Sequence, residues 1–413
     1  MPHYTPLLTI LVTGFGLAFA LGYLAHRLKL SPIVGYLLAG VLIGPSTPGY
    51  IADPELASEL AEIGVIFLMF GVGLHFSLQD LNDVKKIAIP GALVQIVITT
   101  LMGIGFGCAI GWTYSSGLVF GIALSVASTV VLLRALEEKD LVETINGKIA
   151  VGWLVVEDLA VILILVFLPP IAALMGHQVT DTALNNHLGM DIFLIFLLTI
   201  FKASSFVVLM LILGRRWIPT LLHDVAHNGS SELFRLAVLA VALTVAFIAA
   251  KLFGVSFALG AFFAGMMLSK STLSLRAAEE ILPLRDAFAV LFFVSVGMLL
   301  RPETLLLHPW LVLITTVIII AGKALVAFAI VIAFRYPFFT AITISASLAQ
   351  IGEFSFILAE IGHKFGLLNT QAKDLILAGA FISIVVNPML FNSLYWMRSV
   401  VKSKAGTKIS RTQ

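Results

Sequence analysis

Val151-Gly-Trp-Leu-Val-Val-Glu157-Asp158-Leu-Ala-Val-Ile-Leu-Ile-Leu-Val-Phe-Leu168 sets two adjacent carboxylates in the middle of an otherwise almost wholly apolar run. An Asp at the centre of a bilayer helix is disfavoured by ~2.5–3.5 kcal/mol on insertion scales, so such a residue marks an ion or proton site. Whether the run lies in a membrane is decided by its surroundings. Of the 413 residues, 60% are apolar and 12% charged, and runs of about twenty apolar residues recur along the whole chain. Repeated runs leave too little polar surface to face water, so the chain reads as an all-α polytopic membrane protein.

Spans are expected at about 6–26, 32–48, 56–75, 86–111, 116–136, 147–168, 188–213, 232–251, 254–270, 283–300, 310–335, 338–360 and 371–398, thirteen in all. Basic residues test that number. With the N-terminus outside, one face collects Arg27, Lys85, Lys86, Arg134, Lys148, Arg215, Arg216, Arg276 and Arg285, with the tail adding Lys402 to Arg411. The other holds only Lys251, Arg301, Lys364 and Lys373. This asymmetry predicts N-outside, C-cytoplasmic and an odd count. No basic segment precedes the first run and no small-residue cleavage signature follows it, so residues 6–26 are a span and not a removable leader. The single cysteine, Cys108, excludes a disulfide framework and is expected to pack inside a helix.

Ser31-Pro-Ile-Val-Gly35-Tyr-Leu-Leu-Ala39-Gly40 is echoed by Ser256-Phe-Ala-Leu-Gly260-Ala-Phe-Phe-Ala264-Gly265. Phe67-Leu-Met-Phe-Gly-Val-Gly73-Leu is echoed in the same order by Leu291-Phe-Phe-Val-Ser-Val-Gly297-Met. The copies fall in spans 2 and 9 and in spans 3 and 10, which must cross in opposite directions. An inverted repeat follows: repeat one about 6–168, a connector helix about 188–213, repeat two about 232–398 and a basic cytoplasmic tail at 399–413. Transporters use such repeats for alternating access around broken helices. Spans 5 and 12 are then counterparts, and each carries small hydroxyl residues at mid-depth: Ser125, Ser128 and Thr129 in one, Ser345 and Gln350 in the other. These side chains either satisfy backbone groups freed by a break or serve close helix packing.

Glu157 and Asp158 point about 100° apart on a helix, so they do not share one cavity equally. Asp158 is assigned as the carrier: ionised it binds a small cation, protonated it crosses neutral, and the two states exclude each other. Lys323, deep in span 11, needs a counter-charge and is expected to bridge to Glu157 or Asp158. Glu353 has three readings, as a second proton site, part of the ion route or a partner of Lys323. Lys202 reads as structural or lipid-facing, and Glu62 and Asp191 as interfacial. Arg285 and Asp286 are expected to begin span 10. The histidines lack metal-ligand spacing, and Gly14-Phe-Gly16 and Gly103-Ile-Gly105-Phe-Gly107 lack the strand and turn of a nucleotide fingerprint. No cofactor, catalytic constellation or nucleic-acid partner is expected.

At Ser31–Gly40, Phe67–His75, Gly152–Leu159, Phe257–Gly265 and Gln350–Phe356 the sequence resembles the monovalent cation:proton antiporter 2 family, in particular its YbaL- and Kef-type potassium efflux branch. The resemblance implies a homodimer, a core domain moving against a dimerisation domain, and two crossed discontinuous helices at spans 5 and 12. It places the ion-binding aspartate at Asp158 and the core lysine at Lys323. Electrogenic sodium-transporting relatives carry paired aspartates where this chain has Glu157 before Asp158. Exchange of potassium for protons in a prokaryotic cytoplasmic membrane is the function implied. Sodium:proton antiport is the alternative, and a potassium-selective channel or a membrane sensor are more distant ones. Kef-type proteins continue into a cytosolic nucleotide-binding regulatory domain, which these residues do not include.

Overall fold

The computed structural model describes residues 6–28, 30–47, 53–75, 78–174, 192–269 and 271–409, and every regular element among them is a helix. In chain order these are α1 (Pro6–Arg27), α2 (Pro32–Ile43), α3 (Pro54–His75), α4 (Leu78–Ala109), α5 (Tyr114–Ser125), α6 (Thr129–Glu137) and α7 (Ile145–Leu174). After them come α8 (Ile192–Leu209), α9 (Arg215–Asn228), α10 (Ser231–Phe253), α11 (Phe257–Leu268), α12 (Ser274–Met298) and α13 (Pro302–Leu307). The last are α14 (Pro309–Val317), α15 (Lys323–Ala333), α16 (Phe338–Ser347), α17 (Glu353–Lys364) and α18 (Thr370–Ile409). Single wide turns, Met210–Gly214 and Ile318–Gly322, join α8 to α9 and α14 to α15. Every one of the thirteen expected stretches contains helix. By length and composition, eight helices among the described residues can cross a membrane, and α2, α11 and α16 are shorter apolar helices.

Local sequence explains the ends. Pro32 opens α2 at a position where a missing N–H costs nothing. Ser230 and Ser256 cap α10 and α11 by accepting the N–H of Leu233 and Leu259. Gly254 closes α10 at φ 67°, a left-handed conformation that suits glycine.

Two helix boundaries and the placement of one side chain depart from expectation for a physical reason. The helix expected to end near 213 runs on through α9, because the amphipathic pattern from Arg215 supports helix outside the apolar run. α12 begins at Ser274, not near 283, since Ala277 and Ile281 bury one face while Arg276 stacks over Phe234 at 4.3 Å and Arg235 pairs with Glu280 at 2.5 Å. Arg285 and Asp286 therefore lie within α12. Cys108 is helical, as expected, but exposed on α4 and not packed inside.

The helices pack as two bundles. In the first, α12 runs along α3 and α2, α11 lies on α3, and α1, α9 and α10 complete the layer. In the second, α4, α5 and α7 pack together, and α15 to α18 close around them. Few contacts join the bundles, chiefly α3 to α6, α2 to α18 and α7 to α8.

Glycines set the close approaches. A Cβ at Gly40 would lie 2.0 Å from the Val294 carbonyl oxygen, and one at Gly265 would lie 2.1 Å from that of Phe70. Gly297 returns the first contact against Leu37, and Gly73 the second against Phe262. The motif pairs found by repetition thus touch crosswise, α2 on α12 and α11 on α3. Gly91 likewise gives the Trp153 ring its place, at 2.4 Å from the Cβ it lacks. Gly91 faces Trp153 and Gln95 faces Glu157 four residues further along both chains, so α4 and α7 run parallel, as two even-numbered spans should.

Candidate functional site

The two expected broken helices are broken. α5 stops at Ser125 and α6 starts at Thr129, while α16 stops at Ser347 and α17 starts at Glu353. The breaks meet: a Cβ on Gly352 would sit 2.5 Å from Ser128 Cα, so only glycine admits this approach. The Gln350 side chain fastens them, its Nε2 donating to the Ser128 carbonyl at 2.9 Å and its Oε1 accepting the Ser128 N–H at 2.8 Å. The amide thus replaces the backbone acceptor that an intact helix would have supplied to the Ser128 N–H, and it shares the Ser128 carbonyl with the Leu132 N–H.

Charges answer the rest. The start of α6 leaves N–H groups without partners and with partial positive charge, and Glu157 Oε2 accepts the Ala127 N–H at 2.9 Å. The end of α16 leaves carbonyls with partial negative charge, and Lys323 Nζ donates to the Gln350 carbonyl at 2.9 Å. Glu157 and Lys323 are fully buried and act on each other through space. The direct salt bridge expected of Lys323 is not formed; the freed carbonyl takes the ammonium instead.

Asp158 is 5% exposed, with its Oδ2 3.4 Å from the Thr129 hydroxyl, so it faces α6 while Glu157 faces α4. Of the other expected lining residues, Ser128 caps α6 by accepting the Val131 N–H. Ser125 and Ser345 turn their hydroxyls to their own helices, donating to Ile122 and Ile342 carbonyls at 2.7 and 3.0 Å. They are brought near the crossing without facing it through a bond. Glu353 opens α17, and its side chain lies outside the described residues, as does all of Asp191. Lys202 is exposed on α8.

Two site residues escaped the sequence reading. Gln95 Nε2 donates to Glu157 Oε1 at 2.6 Å, and Asn387 Nδ2 donates to the Ala346 carbonyl in the last turn of α16 at 2.9 Å. Each is a lone buried amide in an apolar run, a signal of the same kind as a buried charge.

Cavities flank the crossing where the bundles meet. One, of about 450 Å³, lies between Leu133 and Glu137 of α6 and Leu282 and Arg285 of α12. Arg285 spans it to Glu137 at 2.9 Å. Its remaining lining residues, Asp140, Val142 and Glu143, lie beyond the end of α6. The other, of about 170 Å³, lies towards the opposite end of α12, among Glu62, Ser256, Ser295 and Phe354.

The family description "Sodium/hydrogen exchanger, transmembrane" matches residues 15–396. The chain belongs to the sodium/hydrogen exchanger family. It is 56% identical over 392 residues to YbaL of Escherichia coli (strain K12), named as a candidate cation/proton antiporter, covering 95% of this chain and 69% of that protein. It is 35% identical over 361 residues to K(+) efflux antiporter 4 of Arabidopsis thaliana, covering 87% and 59%. The fold is that of the sodium proton antiporter MjNhaP1 from Methanocaldococcus jannaschii, with a TM-score of 0.68 at 19% identity over 95% of this chain and 96% of that one. This exchanger-family member is a multi-pass membrane transporter of the cation:proton antiport class, not an enzyme.

Proposed function

We propose that the chain exchanges potassium for protons across a prokaryotic cytoplasmic membrane, with its N-terminus outside and C-terminus inside, and that Asp158 is the shared site of the two ions. The observation that carries this reading is a nearly buried carboxylate at the crossing of two broken helices, between bundles in sparse contact and with a cavity on either side. A cation and a proton compete for Asp158, so each crossing carries one or the other, and that competition is antiport. The crosswise contacts of the repeated motifs support an inverted repeat, whose two related packings supply an outward and an inward state. Movement of one bundle against the other then transfers Asp158 between the cavities, with the Arg285–Glu137 pair released and remade.

Potassium rests on the efflux antiporter likeness. Sodium is the second reading, favoured by the family description and by the likeness in fold to a sodium proton antiporter. A homodimer and a cytosolic regulatory domain in a longer parent enter through the family resemblance alone.

Proton movement in vesicles given potassium, sodium or lithium gradients tests the proposal. Potassium should drive proton counterflow most strongly. No proton movement with any of the three would refute antiport and favour a channel or sensor. Asp158→Asn should abolish exchange with assembly intact, and exchange surviving in that variant removes Asp158 from the carrier role.

A further inference from the structure

In an irregular segment His223 and His227 have no metal-ligand spacing; on a helix they do. α9 runs through both, and its turn sets one imidazole above the other on a single face. The two rings lie nearly parallel, 16° apart in plane with centroids separated by 6.4 Å, and both residues are exposed. The opposite face of α9 is anchored, since Ile218 and Leu222 are buried where the helix packs on α10 and α11. The backbone beneath the pair is therefore held while the rings stay free to turn.

Histidines at i and i+4 of a helix can grip one metal ion between them. Zinc takes histidine nitrogens at ~2.0–2.1 Å, so the rings must close on each other, by rotations about side-chain bonds that exposed rings are free to make. Charge favours the ion as well. His227 lies in the last turn of α9, where the carbonyls carry partial negative charge, and the exposed Asp224 stands three residues before it on the neighbouring turn. Arg215 and Arg216, the other basic residues of α9, lie about two turns from His223. Among the described residues no three His, Cys, Asp or Glu side chains already surround one point, so this is a two-nitrogen site whose other positions belong to water. We propose that His223 and His227 form a binding site for a divalent transition ion of the copper, nickel and zinc class, on the helix that continues the connector. Imidazole suits these ions, whereas magnesium and calcium take oxygen ligands. The site is separate from the helix crossing, and binding there does not depend on the antiport reading.

Isothermal titration calorimetry of the detergent-solubilised chain, prepared without a polyhistidine tag, tests it with Cu(II), Ni(II), Zn(II) and magnesium. Binding in the micromolar range is expected for the three transition ions, with Cu(II) tightest and no heat from magnesium. His223→Ala and His227→Ala should each weaken Ni(II) binding by about tenfold or more, because the remaining imidazole loses its chelating partner. His227→Ala combined with Asn228→His keeps the number of histidines but moves one of them about 100° around the helix, and it should weaken Ni(II) as much. Both histidines are exposed, so these changes leave the packed face of α9 intact. No micromolar binding of any transition ion overturns the proposal. Ni(II) binding that survives the three variants overturns it too, by placing the ion elsewhere on the chain.

Discussion

The two helix breaks do the same structural work with opposite chemistry. The first leaves three residues, Val126 to Ser128, outside the helices, and a carboxylate, Glu157, answers it; the second leaves five, Leu348 to Gly352, and an ammonium, Lys323, answers it. The difference follows from which end of a half-helix each charge meets. Glu157 takes the Ala127 N–H just before α6, whereas Lys323 donates to the Gln350 carbonyl in the break after α16, and the helix dipole reverses between those ends. Their mutual attraction supplements these local bonds. Asp158, beside Glu157, has its Oδ2 3.4 Å from the hydroxyl of Thr129, the first residue of α6.

The comparison breaks most severely if one charge is deleted. Lys323→Met strands the Gln350 carbonyl, at ~1–3 kcal/mol for a buried neutral group, and also removes the only cation acting on the buried Glu157 among the described residues. Thermal unfolding in detergent should show it as the largest fall in Tm of the crossing variants. Adding Glu157→Gln should restore part of the loss if the two charges are coupled, and none if each merely caps its own break.

Gln350→Leu should come next. It leaves the Ser128 N–H unpaired, at ~1–3 kcal/mol for a buried group, while the Ser128 carbonyl keeps the Leu132 N–H, and it alters no charge. The same unfolding measurement ranks it, and a Tm equal to that of the unmodified chain would show that the breaks do not depend on their shared clamp. Gly352→Ala should cost ~1–3 kcal/mol for forcing a methyl group against the Ser128 backbone. Its value lies in the exchange rate, which should fall if the breaks must stay in contact during transport and remain level if they separate.

Much of this was legible in the chain because insertion into lipid imposes severe rules on sequence. The spans and the buried charges Glu157, Asp158 and Lys323 can be read from the apolar pattern and its interruptions, whereas the broken helices came with the family resemblance. Ser125 and Ser345 were legible as hydroxyls at depth but not as residues that bond their own helices, since side-chain torsions are decided by packing. Gln95 and Asn387 were overlooked because a neutral amide disturbs an apolar run less than a charge does, although burial makes its bonds as necessary. The boundary of α12 moved because an amphipathic helix at a membrane edge gives no apolar signal where it begins.

While the two broken helices were implied by the family resemblance, the sequence by itself determined that this chain crosses a membrane many times and that carboxylates and a lysine lie in its interior. Those conclusions follow from the cost of placing polar groups in hydrocarbon, which each segment meets on its own. Only the tertiary structure decided the partners. Whether Lys323 meets a carboxylate or a carbonyl, which acid takes the Ala127 N–H, and that Gln350 and Gly352 hold the two breaks together depend on the crossing of helices about two hundred residues apart. No local preference encodes that distance.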